Sequence, residues 1–131
     1  MHLLGVGVDV TDVARVRRLQ AQHPRFAERC FTADERGYAL CHLRPEAPLA
    51  ARFAGKEAVM KSLGSGWRRI RWQDVEITGG GAPRVVLRGT AAARAEELGV
   101  SEVLVTLTHT DEMAAAVALA VGEELGVGAE G

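Results

Sequence analysis

The spacing of apolar and polar positions changes several times along the chain, and each change marks an element. Residues 3–10 form a short apolar run with Gly5 and Gly7, which predicts a buried strand. Thr11 or Asp12 can cap the helix that follows. Its Val13, Val16 and Leu19 make an apolar stripe, and Arg15, Arg17 and Arg18 lie off it, turned to water or to a partner. Pro24 opens a short helix over 25–29, and the Thr32 to Glu35 spacing is the capping box of a third. A long apolar helix starts at Pro48 and runs to about Leu63, where Gly64 ends it. After a loop over 64–69, residues 74–78 alternate as a strand does. The glycines at 79–81 turn the chain, and residues 84–88 pair back as a hairpin. Residues 90–98 read as a helix stopped by Gly99. Val103, Val105, Leu107 and His109 then share one strand face, residues 110–113 turn, and residues 114–121 form a buried strand.

Helices gather early and strands late, around a strand at the N-terminus. The expected class is α+β, with a mostly antiparallel sheet packed against helices. At 131 residues the chain is the size of one domain. We expect that domain over 1–121 and a flexible acidic tail over 122–131. Only six residues are aromatic (three Phe, two Trp, one Tyr), so Val, Leu and Ala must fill the core.

Charge refines this outline. The net value of -1 hides a division at residue 72. Residues 12–72 carry thirteen Lys/Arg against six Asp/Glu, and residues 73–131 carry three against ten. Such a division suggests one basic working surface, aimed at phosphate or at an acidic macromolecule, rather than a general nucleic-acid binder. Cys30 and Cys41 form no metal or redox motif, so free thiols in a reducing cytoplasm are expected. The N-terminal residues carry no basic n-region. The apolar run over 113–122 is half the roughly 20 residues of a membrane helix, so no membrane role is expected.

Three segments can carry chemistry. Gly5-Val-Gly-Val-Asp9 lacks the Gly-Lys-Ser/Thr of a phosphate loop and the third glycine of a dinucleotide fingerprint. It offers a carboxylate near a strand end, with two glycines that allow close approach; alternatively Asp9 caps the next helix. In the long helix, Glu57 and Lys61 are i, i+4 neighbours, either a surface ion pair or part of a site. Thr106-Leu-Thr108-His109-Thr110 places hydroxyls and an imidazole at a strand end, where they bind phosphate oxygens or merely build a turn.

Together these segments closely resemble the holo-[acyl-carrier-protein] synthases, the small type of 4′-phosphopantetheinyl transferase. The resemblance spans residues 4 to about 121. The family's Gly-x-Gly-x-Asp stands here at Gly5, Gly7 and Asp9. Its Arg-Phe-Ala-Glu-Arg stands at 25–29, followed by Phe31-Thr32-x-x-Glu35. Its Arg-Phe-Ala-x-Lys-Glu-Ala-x-x-Lys stands at 52–61, its Trp-x-Asp-Val-Glu-Ile at 72–77, its Gly-x-Pro at 81–83 and its Thr-His-Thr at 108–110.

The resemblance implies the fold of those transferases and their reaction, in which the phosphopantetheine arm of coenzyme A moves to a serine of an apo acyl carrier protein. It implies Mg²⁺ held by Asp9 and Glu57, with coenzyme A as co-substrate. Lys61 would meet the pyrophosphate, and Arg52, His109 and Thr110 the 3′-phosphate. Pro83 would lie beside the adenine. Lys61 and Glu57 are the residues expected to act in catalysis, with Glu57 and a metal-bound water both open as the base. Lys56 is a further phosphate or carrier contact, and Glu35 either completes a capping box or reaches the metal. Arg15 would meet the acidic carrier, with Arg17, Arg18 and Arg25 extending that patch. A homotrimer with sites between subunits is also implied. Three departures are noted: Thr106 for a more frequent serine, Gly55 for a usual alanine, and Trp67-Arg68-Arg69 in the glycine loop. The alternatives are a non-catalytic carrier-protein binder with the same fold and a different Mg²⁺-dependent phosphate-binding enzyme.

Overall fold

The computed structural model describes residues 1–65, 69–79 and 81–123. Strand β1 (His2–Asp12) leads into helices α1 (Val13–Gln22), α2 (Phe26–Cys30), α3 (Ala33–Leu40) and α4 (Glu46–Ser62). A 3-10 turn over Trp72–Asp74 precedes strands β2 (Val75–Ile77) and β3 (Val85–Leu87). Helix α5 (Gly89–Leu98) and strands β4 (Glu102–His109) and β5 (Met113–Gly122) complete the chain. The sheet is antiparallel in the order β1-β5-β4, and β2-β3 is a separate two-stranded hairpin. The expected α+β class is therefore observed, with the antiparallel strands divided between two sheets.

The elements form for local reasons. Thr32 accepts from the Glu35 amide while the Glu35 carboxylate accepts from the Thr32 amide, so the capping box of α3 is complete. Gly99 ends α5 at φ 76°, a left-handed conformation that favours glycine. The start of α5 is held from a distance: Asp74 accepts from both the amide and the hydroxyl of Thr90, at 2.8 and 2.6 Å. Helix α4 begins at Glu46, two residues before the expected Pro48. A proline fits the first turn because its missing N–H has no partner in the helix there. Strand β5 extends to Gly122, which pairs with His2, so Gly122 belongs to the sheet rather than to a tail. Residues 124–131 of the expected tail lie outside the described residues.

Helix α4 packs across one face of the three strands. It is buried on nearly every side, from Ala47 through Met60, with Glu57 a partial exception. One apolar cluster fills the space between α4, α5 and the sheet, using Ala54, Ala58, Val59, Leu63, Ile70, Val75 and Ala118. A second joins α1, α2 and α4 around Phe26, Phe31 and Phe53, whose rings meet at 5.7 to 6.4 Å. Alanines at 114, 116, 118 and 120 line the α4 side of β5, which lets so thick a helix lie close. The other face of the sheet stays open: Val6, Val8, Val10, Leu104 and Val117 are all exposed. No helix among the described residues is long and apolar enough to cross a membrane.

Candidate functional site

The site begins at the crossing of β1 and α4. A side chain on Gly7 would place its Cβ 1.8 Å from the Ala58 carbonyl oxygen, and one on Gly5 1.9 Å from that of Ser62. The two backbones therefore touch, which only glycine permits. That contact sets Asp9, two residues on along the same strand face, against the middle of α4. Asp9 Oδ1 lies 3.1 Å from Lys61 Nζ, and Lys61 also donates to the Val8 carbonyl at 3.0 Å. Thr11 donates its hydroxyl to Asp9 Oδ2 at 3.1 Å. Asp9 lies within β1 and does not cap α1, whose capping position is Asp12.

Glu57 faces the same place. Burial raises its carboxyl above the ordinary value and the charge of Asp9 raises it further, while Arg15 and Lys61 oppose the rise. Arg15 reaches this corner from α1, its guanidinium 5.7 Å from the Phe53 ring. Two carboxylates, one lysine and one arginine thus converge from three elements. The pair of carboxylates fits a hard divalent cation, and the Lys61 ammonium on Asp9 already occupies cationic space there. Among the described residues no group of three or more His, Cys, Asp or Glu side chains converges.

Arg52 leaves α4 on another side, and His109, Thr110 and Pro83 lie on other elements. Arg52 and Glu57 are five residues apart, about 140° around the helix. A side chain on Gly55 would meet Leu107 of β4, so β4 runs along the flank that carries Arg52 one turn earlier. His109 follows Leu107 on the same strand face and is exposed. The Thr110 hydroxyl accepts from the amides of Glu112 and Met113 at 3.2 and 3.1 Å, which builds the β4–β5 turn. Pro83 lines a cleft of about 810 Å³ between the β2–β3 hairpin, α5 and β4, with Val85, Leu87, Val103 and Val105 along its wall. Since β1 and β4 are the outer strands, Asp9 on β1 and His109 at the end of β4 lie on opposite edges of the sheet, with β5 between them.

Arg52 is 6% exposed, and its guanidinium stands 4.2 Å from the centre of the Tyr38 ring. Its Nη2 donates to the Thr78 carbonyl at 3.4 Å, and among the described residues its Nε has no hydrogen-bond partner. Burial lowers its pKa, with Tyr38 and Glu35 opposing.

Lys56 departs from expectation. Its side chain is 0% exposed, so it meets neither phosphate nor carrier. The ammonium lies 2.6 Å from Glu35 Oε1 and donates to the Trp72 carbonyl at 3.0 Å. Glu35 Oε2 accepts from the Ile77 amide at 2.8 Å. Glu35 is thus taken up by the capping box, Lys56 and β2, and is not turned to the Asp9 cluster. Glu76 extends this network, accepting from Thr32 at 2.6 Å and pairing with Arg88 at 3.1 Å. The sequence did not single out Glu76 or Tyr38. Nothing in their spacing marks them, because their partners are distant in the chain. Of the Trp67-Arg68-Arg69 departure, Trp67 and Arg68 lie outside the described residues.

The chain is similar to known proteins along most of its length. A family described as the 4′-phosphopantetheinyl transferase superfamily matches residues 5–119. A holo-[acyl-carrier-protein] synthase of Moorella thermoacetica is 51% identical over 119 residues, 89% of this chain and 93% of that protein. The crystal structure of the holo-[acyl-carrier-protein] synthase of Neisseria meningitidis superposes with a TM-score of 0.82 at 27% identity, covering 92% of this chain and 99% of that one. An acyl carrier protein synthase of Plasmodium yoelii with ADP bound superposes with a TM-score of 0.84 at 26% identity, over 94% and 98% of the two chains.

Proposed function

The chain belongs to the 4′-phosphopantetheinyl transferase superfamily, and we propose that it is a holo-[acyl-carrier-protein] synthase working through the Asp9–Glu57–Lys61 cluster. The observation that carries this reading is the glycine-permitted contact of β1 with α4, which sets two carboxylates and a lysine around one open point. The ADP in the Plasmodium yoelii relative supports a nucleotide substrate, and coenzyme A contains an adenosine diphosphate unit.

In this reaction the carrier's serine oxygen attacks the phosphorus bearing the pantetheine arm. The bond from that phosphorus to the bridging oxygen breaks, and adenosine 3′,5′-bisphosphate leaves with the electron pair. The serine proton passes to Glu57 or to water beside it. Catalysis of such a transfer is mostly positioning and charge stabilisation. Lys61 is half exposed, so it can turn from Asp9 to the leaving phosphate. Asp9 and Glu57 are the residues that would hold Mg²⁺, which when bound offsets charge on the pyrophosphate. Arg52 and His109 would take the 3′-phosphate, Thr110 would add its amide or hydroxyl, and Pro83 would border the adenine. Arg15, which acts on Glu57 from α1, would receive the acidic carrier, with the exposed Arg17, Arg18 and Arg25 extending that patch. Two free cysteines agree with a cytoplasmic setting.

Self-association completes the proposal. One chain carries Asp9 on the outer strand β1 and His109 at the end of the other outer strand, β4, and its sheet exposes Val6, Val8, Val10, Leu104 and Val117. An apolar face of this kind favours burial against other copies. A closed homotrimer joining the β1 edge of one copy to the β4 edge of the next would assemble the full site. Asp9→Ala and His109→Ala chains, each inactive alone, should regain a measurable fraction of turnover when mixed and refolded together; no recovery would exclude the shared site.

The decisive assay incubates the protein with coenzyme A, Mg²⁺ and an apo acyl carrier protein. The expected result is a carrier heavier by one phosphopantetheine, by mass spectrometry. No mass gain with several carriers would overturn the transferase reading in favour of a non-catalytic carrier-binding homologue.

A further inference from the structure

Arg52 is held in an unusual state for a buried cation. The other buried cation of α4, Lys56, has both a carboxylate at 2.6 Å and a carbonyl at 3.0 Å. Arg52 has five N–H donors. Its Nη2 makes one long bond to Thr78, the Tyr38 hydroxyl adds a hydrogen-bonding and charge contribution, and among the described residues its buried Nε has no hydrogen-bond partner. Leaving such donors unpaired is unfavourable unless a ligand completes them. What Arg52 does have is a ring against its face, and that ring is itself fixed. Tyr38 lies over Gly79, where a Cβ would come within 2.3 Å of the ring. Its other neighbour is the His42 ring, with centroids 4.7 Å apart, and His42 Nδ1 is 2.9 Å from the Tyr38 carbonyl oxygen. Gly79 and His42 therefore set the Tyr38 plane, and Tyr38 sets the guanidinium plane.

A guanidinium binds a phosphate monoester through donors lying in its plane, so fixing that plane fixes where the phosphate sits. An aromatic ring on its face holds the plane without consuming a donor. We propose that Tyr38 is a positioning residue that locks the Arg52 fork for a terminal phosphate monoester, and so sets the preference for 3′-phosphorylated over dephosphorylated coenzyme. This rests on the reading of Arg52 as a 3′-phosphate ligand. It concerns a residue of this chain that no motif of the resemblance includes.

Binding of two probes, adenosine 3′,5′-bisphosphate and adenosine 5′-monophosphate, tests it by calorimetry without requiring turnover. Tyr38→Leu should weaken the bisphosphate roughly tenfold, the order of a desolvated cation–ring contact. It should leave the monophosphate unchanged, so that the ratio of the two affinities collapses. Tyr38→Phe keeps the ring and should restore the ratio to within about twofold. In turnover with coenzyme A, Tyr38→Leu should raise KM by a similar factor with little change in kcat. An unchanged ratio in Tyr38→Leu would overturn the proposal. So would an equal loss for both probes, which marks a packing role, or a loss that Phe fails to rescue, which assigns the effect to the Tyr38 hydroxyl rather than to its ring. Failure of the transferase reading is seen separately, as wild-type protein that transfers nothing from coenzyme A.

Discussion

Helix α4 carries two lysines five residues apart, and each meets a carboxylate from a distant part of the chain. Lys56 meets Glu35 at 2.6 Å with both side chains sealed from water. Lys61 meets Asp9 at 3.1 Å with the lysine half exposed and the aspartate largely shielded. The first pair is closed. Its remaining valences go to the Trp72 carbonyl and to the amides of Thr32 and Ile77, so it ties α3, α4 and β2 together. The second is open on one side, beside a second carboxylate whose pKa rises because burial and Asp9 both disfavour its charge. The same two residue types serve architecture in one place and, in the proposed reading, chemistry in the other. What separates them is whether water and a ligand can reach the pair.

Removing one partner should expose this contrast most strongly in the closed pair. Lys56→Met leaves the Glu35 charge buried without its cation, and we expect a loss of about 3–5 kcal/mol in urea unfolding. The double variant Lys56→Met/Glu35→Gln should recover part of that loss, because no bare charge remains. A Lys56→Met protein as stable as wild type would show that the pair is not structural.

The open pair should respond in activity instead. Asp9→Asn, Glu57→Gln and Lys61→Ala should each lower kcat by about 10²–10³ in the phosphopantetheine transfer assay, the usual scale for removing one charge-stabilising group. Their unfolding midpoints should remain near wild type. Near-full turnover in both carboxylate variants would reject the metal assignment and with it the functional side of the comparison.

The fold was legible wherever a local rule operated. The Thr32–Glu35 capping box, the left-handed Gly99 and the shared face of Val103 to His109 are all read from spacing alone. The two glycines of β1 announced a close approach, and the structure supplies the Ala58 and Ser62 carbonyls as the neighbours. The partners across α4 were not legible. That helix is buried almost all round, so its apolar pattern has no polar side to show which lysine faces out. The sequence therefore grouped Lys56 with the functional residues and paired Lys61 with Glu57 at i, i+4. The structure gives Lys61 a carboxylate 52 positions away and encloses Lys56. Tyr38 was silent for the same reason: its meaning comes from Gly79 and Arg52, on other elements.

Acid should also discriminate the two regions, with a smaller effect. Glu76 belongs to the closed region. The Thr32 hydroxyl bond, and after it Arg88, holds its carboxyl below the ordinary 4.5, against the pull of burial. A carboxyl lowered on folding contributes stability above its unfolded pKa, and that stability is lost as pH falls through the folded value. Wild-type stability should thus decline below about pH 4.5. Glu76→Gln should cost about 1.5–3 kcal/mol at neutral pH and flatten that decline, measured by urea unfolding across pH 3–7. An equally steep decline in the variant would assign the acid sensitivity to other groups.

The smallest expected effect is the stability change in Lys61→Ala. A half-exposed ammonium keeps most of its hydration when folded, so its attraction to Asp9 is largely exchanged for attraction to water. Its second bond, to the Val8 carbonyl, is exposed and can be replaced by solvent. The loss should be within about 1 kcal/mol and should shrink further as salt is raised, because exposed charges are screened. Thermal unfolding at low and high ionic strength measures both. A loss as large as that of Lys56→Met, indifferent to salt, would mean that the Asp9–Lys61 pair is as closed as its neighbour. A pair closed in that way could not release its lysine to a phosphate. The open pair must therefore contribute little to stability if it is to act in the transfer.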